Sequence, residues 1–98
     1  MGMTSANNLV RVLDNVEGAL ACELLGALAA TDFRRPVASG RGTGAAYDAA
    51  RAVIAPLDAD RSPAPDITAA RALLRDGGLI DAAHAAIGAT ATVPVPVR

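Results

Sequence analysis

The sequence predicts an all-α fold: one long N-terminal helix followed by two or three short helices. Two observations predict it. Large apolar residues recur at Leu9, Leu13, Val16, Leu20, Leu24 and Leu28, and those steps of four and three residues line one face of a helix. Helix-breaking residues then punctuate the rest of the chain, with Pro36, Pro56, Pro63, Pro65 and the pair Gly77-Gly78 falling between periodic segments. The helical domain is expected over residues 1–88 and a Val/Pro-rich tail over residues 89–98.

The first helix is expected from about Ser5 to Thr31, a stretch without proline. Thr4 or Ser5 is placed to cap its start by accepting a backbone N–H. Arg35-Pro36 marks its stop, because proline disfavours helical geometry in the residue before it. A second ridge runs along the same helix at Gly18, Cys22, Gly26 and Ala30, small residues four apart that let another backbone approach closely. About 26 residues at 1.5 Å each give roughly 39 Å. A compact globule of this chain length has a diameter of roughly 32 Å. The helix is therefore too long to hide in its own domain, and the sequence predicts that it needs partners.

A loop from Asp32 to Gly42 follows. The second helix is expected from Gly44 to Ala55, opened by Thr43 and ended by Pro56, with Ala46, Ala50 and Val53 inward and an Asp48–Arg51 pair across its outer face. A polar connector from Leu57 to Ala64 leads to the third helix, where Pro63 and Pro65 cost no hydrogen bonds at the first turn. Asp66 suits that helix's N-terminus and Arg71 and Arg75 its far end. Ile67, Ala70 and Leu74 are expected inward, and Gly77-Gly78 supplies the positive φ of a C-terminal cap. Leu79–Ile87 reads as one more short helix, and Thr90–Arg98 as an extended tail.

Composition narrows the function. The 98 residues are 52% hydrophobic but only 2% aromatic, so alanine carries much of the apolar mass and the core this chain builds alone is thin. Nine arginines against ten acids leave a formal charge of −1. That balance argues against a nucleic-acid partner and supplies no polybasic patch for a membrane surface. The apolar run from Val16 to Ala30 is interrupted by Glu17 and Glu23 and too short to span a bilayer. The one cysteine, Cys22, excludes an internal disulfide or a cysteine-based zinc site. A cytoplasmic location fits these features.

Several words of the sequence, in order, resemble the C-terminal segment of the aromatic amino acid ammonia-lyases, histidine ammonia-lyase above all. They are Met1-Gly2-Met3, then Arg11 to Asn15, then Ala21-Cys22-Glu23-Leu24-Leu25-Gly26-Ala27. Thr31-Asp32-Phe33-Arg34-Arg35-Pro36, Asp60 to Ile67, and Ala72 to Gly77 complete the set. The resemblance runs to about Ala83. It implies an all-helical homotetramer in which long helices from each subunit form a central bundle. Ammonia is then eliminated by a methylidene-imidazolone electrophile toward which several helix N-termini point, stabilising developing negative charge. The helix that begins after Met1-Gly2 looks like one of these. In the family, the electrophile and the catalytic side chains lie upstream of the segment matched here. The resemblance therefore assigns no catalytic residue, no cofactor-binding residue and no metal site to this chain. It implies that the electrophile stands on a partner chain. The reading is a small chain, part of an ammonia-lyase or aminomutase, that completes a helical bundle with a larger catalytic chain; the alternative is a non-catalytic helical protein that self-associates through its long helix.

Other candidates carry less. Ala38-Ser39-Gly40 matches the tripeptide from which the family builds its electrophile, but Pro36-Val37 and Arg41-Gly42 around it do not match, and it reads as a chance triplet in an alanine-rich loop. His84 lies three residues from Asp81 with no nucleophile beside it and no second metal ligand, so it reads as a surface histidine. Cys22 reads as a buried, inert thiol on the small-residue ridge. Glu17 reads as solvated and Glu23 as an ion-pair partner for another chain. Gly40, Gly42 and Gly44 follow no strand, which argues against a phosphate cradle. Arg34-Arg35 are expected to bind carbonyls at the end of the first helix.

Overall fold

The computed structural model describes residues 2–88. Its elements are α1 (Gly2–Arg34), α2 (Arg41–Arg51), α3 (Ala64–Asp76) and α4 (Gly78–Ile87), with no strand among the described residues. The expected tail at 89–98 lies outside them. The fold class is as the sequence predicts, with three short helices after the long one.

Boundaries differ in instructive ways. The first helix already runs from Gly2, so Thr4 and Ser5 lie inside it and do not cap it. Its 33 residues make a rod of roughly 50 Å, longer than the sequence predicts. The second helix begins at Arg41 behind an extended Gly40, and Thr43 donates from Oγ1 to the Gly40 carbonyl at 3.2 Å. It ends at Arg51, well before Pro56. Ala52 to Ile54 then fold into a turn in which the amides of Val53 and Ile54 both reach the Ala50 carbonyl, at 3.1 and 2.9 Å. That turn reverses the expected burial. Ile54 enters the core, whereas Val53, predicted inward, is exposed.

The third helix follows its signals closely. Pro63 precedes it, Pro65 occupies the first turn, and Asp66 sits at the positive end. Gly77 takes the left-handed conformation, φ +74°, which an L side chain adopts only with strain. One residue later α4 starts.

The helices associate as two pairs, α1 with α3 and α2 with α4. Between them the buried core is Ala21, Leu28, Ala50, Ile54 and Ala70, joined by partly buried Leu24, Leu25, Tyr47, Ile67, Leu73, Leu74 and Leu79. Among the described residues, three of the five buried ones are alanines, and Ile54 is the one large side chain fully enclosed. This is the thin core that the composition predicts. No helix among the described residues is long and apolar enough to cross a membrane, and none of them form a cluster suited to a metal ion.

Candidate functional site

Every residue of α1 from Gly2 to Val16 is exposed. The periodic stripe that predicts the helix is thus only partly used by the chain itself. Leu28 is buried and Leu24 packs against the core, but Leu9, Leu13, Val16 and Leu20 remain 58%, 59%, 48% and 46% exposed. Met3, Val10 and Val12 stand open beside them. At about 100° per residue these seven span roughly half the circumference. Thr4, Asn8, Arg11 and Asn15 occupy the other side. The uncovered segment is an amphipathic rod with a wide apolar face.

Helix α3 packs on a different side. Ala21, Leu24 and Leu28 meet it about 80° round from the Leu9–Leu20 stripe, so the chain's own core does not compete for that stripe. An ion network fixes the angle between the two helices. Arg75 Nε donates to Glu17 Oε2 at 2.6 Å, and Arg71 Nη1 donates to Asp14 Oδ1 at 3.1 Å and to Glu17 Oε1 at 3.4 Å. Gly18 leaves room for the Arg71 guanidinium, since a Cβ there would press on Arg71 Nη2. The hydrogen bond and charge of Glu17 raise the Arg75 pKa above its ordinary value. Glu17, read from the sequence as solvated, is therefore a partly buried anchor. Gly18, read as part of a ridge for another backbone, instead admits an arginine.

A second network joins the end of α1 to α2. The Tyr47 hydroxyl donates to Asp32 Oδ1, Arg51 Nη2 donates to Asp32 Oδ2, and Arg35 lies over the Tyr47 ring at 4.7 Å. The Tyr47 hydrogen bond, aided by Arg51, holds the Asp32 carboxyl below its usual pKa against the opposing effect of partial burial. Arg51 thus pairs with Asp32 and not with Asp48. Arg35 stacks on a ring, with no side-chain bond from Arg34 or Arg35 to the helix-end carbonyls among the described residues.

Other candidates fall where their neighbours put them. Cys22 is exposed, not buried, and lies about 120° round α1 from the side that meets α3. Glu23 is exposed, and no ion pair reaches it among the described residues. His84 is exposed on α4. Ala38, Ser39 and Gly40 form the exposed loop before α2. No step is assigned to them.

The first turn of α1 carries no acidic residue, which leaves the positive end of its dipole unneutralised by its own sequence. An apolar rod of this kind can be buried among other helices. The aromatic amino acid lyase family model matches residues 1–52. The chain belongs to that family. Histidine ammonia-lyase of Symbiobacterium thermophilum is 43% identical over 88 residues, 90% of this chain and 17% of the relative. That of Sorangium cellulosum is 41% identical over the same extent, and that of Rattus norvegicus is 42% identical over 76 residues, 78% of this chain and 12% of the relative. The chain thus spans 17% of the length of the bacterial relatives it matches here. No solved structure matches it.

Proposed function

We propose that this segment serves an aromatic amino acid ammonia-lyase, of the histidine type by likeness, by packing α1 into a helical bundle with a larger, electrophile-bearing lyase portion. The observation that carries the proposal is the uncovered apolar face of α1, Met3 to Leu20, on a helix that its own domain cannot enclose. Burying such a side chain fully is worth about 1.5–3 kcal/mol. With roughly half to three-quarters of each of these seven still exposed, the face offers on the order of 7 kcal/mol or more to a partner.

In that assembly the electrophile belongs to the partner portion, where it withdraws electrons from the bound amino acid. The contribution of this chain is structural and electrostatic. It completes the bundle and sets the α1 N-terminus where amide donors stabilise negative charge. Asp14, Glu17, Arg71 and Arg75 hold α1 at a fixed angle to α3, which keeps that end in place. We assign the location as cytoplasmic on the same reading.

The test is co-expression with the Symbiobacterium histidine ammonia-lyase shortened by its matched segment. Ammonia release from histidine is expected in the mixture and from neither piece alone. A stable, inert assembly of this chain with itself, with no activity in the mixture, would instead support the non-catalytic alternative.

A further inference from the structure

The uncovered apolar residues of α1 do not all lie on one side. A groove of about 580 Å³ runs between the C-terminal half of α1 and the connector after α2, and Gly26, Phe33 and Leu57 open onto it. On α1 its wall lies roughly 150° round the helix from the Leu9–Leu20 stripe. One partner helix laid on the stripe would leave the groove untouched. Phe33, one of two aromatic side chains in the sequence, is 91% exposed beside it.

We propose that this groove is a second docking seat, filled by apolar side chains of the same larger lyase portion, so that α1 is gripped from two nearly opposite sides. The inference rests on the reading of the partner given above. Charge selects the occupant. The two acids in the wall are each matched to an arginine, Asp32 to Arg51 and Asp66 to Arg61, the latter at 3.1 Å. An entering anion or cation would have to displace one of these pairs, whereas an uncharged apolar group displaces only water. Shape selects against a second copy. A two-fold contact sets the same patch against itself, and two concave grooves facing each other leave their volume unfilled. The floor is open as well, for a Cβ built on Gly26 meets nothing within 4 Å.

That openness supplies the test. Gly26→Leu fills the groove without disturbing the chain's own packing, and Phe33→Ser removes its exposed rim. Each variant is co-expressed with the shortened Symbiobacterium enzyme, and association is read by sedimentation of the purified mixture. Both variants alone are expected to melt within about 3 °C of the parent chain, and both to bind at least about tenfold more weakly. If the parent chain binds and both variants bind equally well, the groove is not a seat, while the proposed function stands. If the parent chain does not bind at all, the proposed function falls and this inference with it. If the substitutions alter self-association of the chain alone, the occupant is a second copy and the proposal is overturned.

Discussion

Leu13→Ala separates a stripe that serves a partner from one that serves the chain. Leu13 is 59% exposed in the middle of a segment in which every neighbour from Gly2 to Val16 is exposed. Truncation there removes few contacts within the chain, and alanine is at least as good a helix former as leucine. The free chain is therefore expected to lose less than about 0.5 kcal/mol, a shift of some 2–4 °C at most for a domain this small. In an assembly that buries the stripe, the lost methyl groups leave a cavity, and Leu→Ala in packed interiors costs roughly 2–5 kcal/mol. Because part of Leu13 is already covered by its own helix, the lower end applies. About 2 kcal/mol is a roughly 30-fold rise in the concentration of chain that half-restores lyase activity to the shortened relative. Asn8→Ala, on the polar side of the same turns, is the control and should leave that concentration unchanged. A shift below about threefold for Leu13→Ala would refute the assignment of the stripe to an interface. So would a loss of 2 kcal/mol or more in the free chain, since Leu13 would then already be buried.

Ile54→Ala should cost about 3 kcal/mol in thermal unfolding followed by circular dichroism, because Ile54 is the one large side chain fully enclosed among the described residues; a loss under 1 kcal/mol would deny the core described. Glu17→Gln should lower the melting temperature, and the drop should shrink in 1 M salt, since both arginines it holds lie near solvent. A salt-independent drop would point to packing and not to charge. Asp32 has a folded pKa below its unfolded value, so its contribution is complete above the unfolded pKa, about 3.9, and disappears as pH falls through the folded one. Asp32→Asn should therefore melt lower than the parent at pH 7, with the two curves converging as pH falls through the folded pKa. Parallel curves down to pH 2 would contradict the Tyr47 and Arg51 bonds. Gly18→Ala gains up to about 1 kcal/mol of helix propensity but drives Arg71 from its site; its test is the Glu17→Gln drop, which should be smaller in the Gly18→Ala background because one of the two arginines has already been displaced.

Helix type and order were legible because they follow from local rules. The period of α1, the prolines opening α3 and the left-handed Gly77 each act within a few residues. Which side of a helix is covered was less legible, because that depends on where distant elements land. The Leu9–Leu28 stripe has one period, yet α3 covers only its C-terminal end. Ile54 and Val53 exchange roles because a turn, not a helix, carries them. The ion pairs were missed for the same reason, since Asp14 and Glu17 meet Arg71 and Arg75 across 54 to 58 residues of sequence. A signal did exist. Two acids three apart on α1 and two arginines four apart on α3 form complementary ledges, and the same spacing sets Tyr47 and Arg51 together against Asp32.

The alanine-rich composition links the thin core to the open faces of α1. Small side chains let helices approach closely but bury little area, so α1 and α3 need an ion network as well as Ala21, Leu28 and Ala70 to fix their angle. The larger residues of α1 are free for other work because alanine does the packing at home. Were Leu9, Leu13, Val16 and Leu20 turned inward, α3 would have to rotate about 80° round α1, and the contacts from Arg71 and Arg75 to Asp14 and Glu17 would be lost. The charges thus do more than fasten two helices. They bridge the two helices in the orientation that leaves the leucine stripe outside, where a partner can cover it.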